Sequence, residues 1–191
     1  MRLYEKIITI LEEKGPLSLP SICEELNNMA FSNPNNQTLS AEINSIIMKK
    51  NEIFHINNGA ICLQPNKVPL ILNAYIETFE GCAYQVWVNF QRKNFVYFVL
   101  ERRTHNRLVV PVKGEFIGDI ALFKQQLYSV KVWDWEPSYR SQQGIILDGT
   151  NWSVSLRTTS ANYKSEGMKK FPPKWKLFCR SIENLTGSPF R

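Results

Sequence analysis

The stretch "LDGTNWSVSL", Leu147–Leu156, sets a carboxylate, Asp148, against a glycine and just ahead of Trp152. A carboxylate does general acid–base or metal chemistry only with a partner: a second acid, a metal cluster or a positioned base. The nearest preceding acids, Glu136 and Asp134, belong to a different predicted strand. Asp-Gly is a strong turn signal, because Asp bonds its own downstream backbone and Gly supplies positive φ. After it Trp152, Val154 and Leu156 alternate with Ser153, Ser155 and Arg157, the period of a half-buried strand. The stretch therefore reads as a turn feeding a strand. "VKGEFIGD" holds Lys113, Glu115 and Asp119, in the wrong order for a restriction-type nuclease core. There is no Walker loop and no GxGxxG, and "GTNWS" lacks the GxSxG of a nucleophile elbow. The only histidines are His55 and His105. Cys23, Cys62, Cys82 and Cys179 form no CxxC pair and sit in apolar contexts, so they read as buried reduced thiols rather than zinc ligands. The expectation is a protein with no catalytic residue, no metal and no cofactor.

Basic chemistry is better represented. The chain has 191 residues and a net charge of +6, with 43% apolar residues and 11 Phe, 7 Tyr and 5 Trp, enough for a packed core. The charge is unevenly divided. Residues 1–66 carry five Lys/Arg against seven Glu, a net −2, and the rest carries 18 against 10, a net +8. Such asymmetry can mark a nucleic-acid surface or an ordinary solvated face. "YKSEGMKKFPPKWK" sets Lys164, Lys169, Lys170, Lys174 and Lys176 among Tyr163 and Phe171, and its "MKKFPPKWK" part reads as a basic loop. "NFQRKNFVYFVLERRTHNR" mixes Arg92, Lys93, Arg102, Arg103 and Arg107 with aromatics. Such mixtures grip phosphates and stack bases, although aromatics on strands are mostly core. "WDWEPSY" offers Trp133 or Trp135 to a protein interface. The N-terminus lacks a signal peptide's cleavage site and no run is long enough to span a bilayer, so no membrane partner and a cytoplasmic location are expected.

The elements that must position these residues fall into two groups. "RLYEKIITILEEKG" puts Leu3, Ile7, Ile10 and Leu11 on one helical stripe, ended by Gly15–Pro16. "SLPSICEELNNM" offers Ser18 or Ser21 as a cap and Ile22, Leu26 and Met29 as an apolar face. An Asn-rich loop around Pro34 leads to "TLSAEINSIIMKKN", where Leu39, Ile43, Ile46 and Ile47 recur at helical spacing and Thr38 or Ser40 can cap. "EIFHINNGAICLQ" reads as a hairpin turning at Asn58–Gly59. Three helices and a hairpin, over residues 1–64, is the layout of a winged helix-turn-helix. On "LYEKIITILEEKGPLSLPSICEEL", "TLSAEINSIIMKKNEIFHI" and "NNGAICL" this segment resembles winged-helix domains of the HARE-HTH type, found in chromatin and bacterial restriction-linked proteins. The resemblance implies a recognition helix at about residues 38–50, with Ser40, Asn44, Ser45, Lys49 and Lys50 toward double-stranded DNA, and a wing using His55, Asn57 and Asn58. The segment's charge of −2 argues against binding DNA alone, since phosphate neutralisation supplies most non-specific affinity.

Past "QPNK" the texture changes to β-branched and aromatic runs. "LILNAYIETFEG", "YQVWVNFQRKNFVYFVLERR", "RLVVPV", "KVWDWEPSY", "GIILD" and "NWSVSLRT" read as strands, and "DIALFKQQLYSV" and "PPKWKLFCRSIENLTG" as helices. The second module, residues 68–187, is expected to be a basic α+β domain: a small, mostly antiparallel sheet with one or two helices. Asp148, Gly149, Trp152, Gly167, Pro172 and Trp175 are similar in pattern to small uncharacterised bacterial α+β domains with a DGxxW strand, which implies a fold and no activity. Together these readings point to a non-enzymatic DNA-binding protein. The resemblance implies an accessory or regulatory role in a bacterial restriction or antiviral defence system, and a homodimer is compatible with it. The alternative is a protein-interaction subunit or adaptor whose winged helix docks a partner protein.

Overall fold

A computed structural model of the chain describes residues 2–29, 36–78, 81–101, 118–139 and 149–191. It divides into two compact units, Met1–Val68 and Pro69–Arg191. The fold is mixed α+β, with five α-helices and two sheets among the described residues. None of those helices is long and apolar enough to cross a membrane.

The first unit runs α1 (Leu3–Lys14), β1 (Leu17–Ser18), α2 (Leu19–Asn28), α3 (Asn36–Lys49), β2 (Phe54–Asn57) and β3 (Ala60–Leu63). Each helix buries most of the stripe that its spacing predicts: Ile7, Ile10 and Leu11 with Ile8 from α1, Ile22 and Leu26 with Cys23 from α2, and Leu39, Ile43 and Ile47 from α3, while Leu3 and Ile46 are half-buried. Ser18 caps α2 by accepting from the Ser21 amide at 3.3 Å. Met29 follows the end of α2 and is exposed rather than part of its apolar face. The expected hairpin forms: Asn58 and Gly59 take φ of 51° and 78°, which lets β2 and β3 pair over two turn residues. The two-residue β1 pairs with β3, giving an antiparallel sheet of order β1-β3-β2.

The second unit runs β4 (Pro69–Glu77), β5 (Cys82–Asn89), β6 (Asn94–Glu101), α4 (Ile120–Val130), a 3₁₀ turn (Val132–Asp134), β7 (Ser138–Tyr139), β8 (Asn151–Thr158), β9 (Asn162–Met168) and α5 (Trp175–Thr186). Its six strands lie in the order β6-β5-β4-β8-β9-β7, antiparallel except for the short β7–β9 pair. Alternation decides the faces. Tyr97, Val86, Ala74, Val154 and Ser165 form one buried cross-strand row, while Val96, Trp87, Asn73, Ser155 and Lys164 form an outward one. Aromatic rings fill the space under α5 on the buried side: Trp152 meets Trp175 at 4.6 Å, and Trp135 meets Phe178 edge-on at 5.2 Å.

Two expectations change here. "KVWDWEPSY" is no simple strand: Lys131 takes a left-handed φ of 61°, a 3₁₀ turn follows, and within it only Ser138–Tyr139 pairs as a strand. Trp133 and Trp135 are therefore buried, not offered at an interface. Asn162–Met168, most of it assigned to no element from the sequence, is strand β9. Asp148, Lys113, Glu115, His105, the arginines at 102, 103 and 107, the strands expected at "RLVVPV" and "GIILD", and the Thr38 side chain lie outside the described residues.

Candidate nucleic-acid interface

The basic segment resolves into two parts: the end of β9 and a loop of residues 169–174 leading into α5. The residues singled out around the DGxxW strand build this loop. Gly167 on β9 lies opposite Trp152 on β8. A Cβ on Gly167 would meet the Trp152 ring at 2.6–2.7 Å, so only glycine lets the indole lie flat on the strand. Trp152 Nε1 then donates to the Lys170 carbonyl at 2.7 Å, and the Lys169 amide donates to the Thr150 carbonyl at 3.0 Å. The Trp175 amide closes the loop on the Pro172 carbonyl at 3.2 Å. Pro172 is buried. Lys169 and Lys174 sit at φ of 57° and 61°, a left-handed conformation that L-residues enter at a cost of about 1–2 kcal/mol.

The five lysines named from sequence separate. Lys164 projects from the outer face of β9 and lines a cleft of about 350 Å³ with Val132, Trp135, Val154 and Tyr163. Lys169, Lys170 and Lys176 are exposed on and just beyond the loop. No carboxylate among the described residues pairs with any of these four. Lys174 is engaged: its ammonium donates to the Ser129 carbonyl in the last turn of α4, where a cation complements the helix dipole. Phe171, between the lysine pair and the prolines, keeps 42% of its surface exposed while stacking on Trp175 at 5.3 Å.

The first unit's candidates also divide. Asn44, Ser45 and Lys49 are exposed on α3, and Asn57 and Asn58 on the hairpin. Ser40 instead hydrogen-bonds toward the Cys23 thiol, whose pKa burial raises and that bond partly lowers. Lys50 Nζ sits 4.4 Å from the centre of the Tyr4 ring on α1, a cation–π contact that takes it off the outward face. His55 is half-buried, and its Nδ1 has no hydrogen-bond partner among the described residues. The outward surface of α3 also carries Glu42 and Met48, the latter 68% exposed, and the hairpin carries Ile56 at 55%.

Asp119 is the N-cap of α4, accepting from the Ala121 amide at 2.7 Å. Among the described residues no group of three or more His, Cys, Asp or Glu is gathered to hold a metal ion. Of the turn expected at Asp148–Gly149, only Gly149 is among the described residues, and it packs against the Lys169 side chain. Sequence reasoning noted Phe171 only as an interleaved aromatic; its position between two lysines and two prolines was the available signal that it leaves the sheet. Comparison with family models, with curated proteins and with solved structures found no match.

Proposed function

We propose that the chain is a non-enzymatic protein that binds double-stranded DNA, with Lys164, Lys169, Lys170 and Lys176 as its phosphate grip. The observation that carries this reading is the set of exposed lysines in the second unit that have no carboxylate partner among the described residues. Cations that neutralise phosphates release counterions from the DNA when they bind. In this reading the first unit is a winged helix-turn-helix of the HARE-HTH type. Its helix–strand–helix–helix–hairpin order and its three-stranded sheet support that, with Asn44, Ser45 and Lys49 turned toward a groove and Asn57 and Asn58 on the wing. A bacterial restriction or antiviral setting rests on the resemblance of residues 1–64 alone.

A second reading is favoured by a specific observation. Met48 and Ile56 are more than half exposed on a unit that carries six Lys/Arg against seven Glu, a net −1. That is a surface suited to a protein partner, with the second unit alone holding nucleic acid.

The test is anisotropy of a labelled mixed-sequence duplex across a salt series, using the intact chain and its Lys169→Glu, Lys170→Glu, Lys176→Glu variant. The expected result is micromolar or tighter binding at low salt. The slope of log affinity against log salt should fall by about 2–3 in the variant, near one per phosphate-contacting lysine. Absence of duplex binding at low salt overturns the DNA reading in favour of a protein partner.

A further inference from the structure

We infer that the loop of residues 169–174 is a site for single-stranded nucleic acid, with an unpaired base stacking on Phe171. This rests on the nucleic-acid reading above and narrows the ligand of that surface.

Phe171 is the outermost ring of a stack. Trp152 and Trp175 are 4.6 Å apart and nearly fully buried. Phe171 lies 5.3 Å from Trp175 and 6.4 Å from Trp152, tilted 24° from each. One face of the phenyl ring is thus taken by indole, and its 42% exposure leaves the stack unfinished toward solvent. The next flat ring to join such a column needs a π face of its own. A duplex base has both faces covered by its neighbours, whereas an unpaired base has a face to give.

The surroundings specify charge. From Gly167 to Leu177 there are four lysines and no acid. Lys169 and Lys170 directly precede Phe171, and Lys176 follows it in the first turn of α5. None of these three is held by a carboxylate among the described residues. Cations on both sides of an exposed aromatic ring match a strand whose phosphates alternate with its bases.

The loop is held before any ligand arrives. Trp152 Nε1 grips the Lys170 carbonyl, Thr150 grips the Lys169 amide, two prolines fix the backbone, and the Lys174 ammonium bonds the end of α4. A platform fixed in this way loses little conformational freedom on binding.

The experiment compares labelled oligothymidine, a labelled blunt duplex and labelled polyglutamate at low salt. It uses the intact chain and its Phe171→Ala, Phe171→Leu and Phe171→Trp variants, with near-UV circular dichroism to check that the indole cluster is intact. Stacking of one base predicts that Ala and Leu each lower oligothymidine affinity about 5- to 100-fold, that Trp retains it, and that duplex affinity stays within about 2-fold. Leu preserves packing without a π face, so wild-type affinity in Phe171→Leu overturns the inference. Tighter binding of polyglutamate than of oligothymidine overturns it in favour of an acidic protein segment. If the duplex binds through the lysines and all Phe171 variants behave alike, the inference fails and the duplex reading stands. Oligothymidine binding that depends on Phe171, without duplex binding, upholds the inference and removes the duplex reading.

Discussion

Trp152 has two roles that no other indole can share: its ring lies on Gly167 and its nitrogen holds the carbonyl of Lys170. Gly167→Ala would press a methyl into that ring, and Trp175 behind the ring limits its retreat. A loss of about 1–3 kcal/mol is expected, typical of an overpacked core, measured by denaturant unfolding. Oligothymidine affinity should weaken with it as the loop shifts. A second residue-scale effect concerns alkaline pH. Burial, with Glu183 nearby, pushes the Cys179 thiol from 9.0 up to about 12. Burial raises Tyr97 as well, with Tyr84 and Glu183 adding to it, and its hydroxyl donates to the Pro189 carbonyl. Both groups hold their protons more tightly in the folded chain. The stability they contribute is intact below about pH 9 and is lost as pH rises toward about 12. Unfolding midpoints measured from pH 8 upward should therefore fall, and Cys179→Ala should flatten part of the decline. The half-buried Cys62 and Cys82 should react with a thiol reagent before Cys23 and Cys179. At this scale the sequence announced which side chains carry charge but not where each ammonium ends. Lys50 on Tyr4 and Lys174 on Ser129 are set by tertiary neighbours 46 and 45 residues away, beyond any local pattern.

At the scale of elements, period was the most legible signal. α1 and α3 bury most of the residues whose spacing marks them, with Leu3 and Ile46 half-buried, and Trp152, Val154 and Leu156 of β8 point inward as their alternation requires. Leu26 is the fully buried anchor of α2. Leu26→Ala should cost about 2–5 kcal/mol, the range for a leucine removed from a packed core, read as a lower thermal midpoint of helical circular dichroism. Elements without a period were missed for physical reasons. β1 is two residues long and exists only because β3 pairs with it. β9 reads Asn-Tyr-Lys-Ser-Glu-Gly-Met, poor in β-branched residues, and is a strand because β8 supplies seven paired positions. The turn after α4 depends on a left-handed lysine, which no propensity favours. The candidate site was half legible for the same reason. Its lysines were visible as composition, while the pairing of β9 and the ring column under Phe171 required the fold.

At the scale of the whole molecule, the charge division of −2 against +8 falls close to the boundary between the two compact units. In the proposed reading, long-range attraction to a polyanion comes from the second unit, and raising salt should weaken it while leaving any apolar docking by the first unit little changed. The aromatic distribution is just as uneven. All five tryptophans, at 87, 133, 135, 152 and 175, belong to the second unit, and of the five helices among the described residues three, with 36 residues, belong to the first. Light absorbed at the red edge of the protein spectrum thus excites one unit alone, while ellipticity in the far ultraviolet weighs toward the other. The chain carries two optical channels without any label, so whether its halves melt as one cooperative body or in succession can be read from a single heated sample.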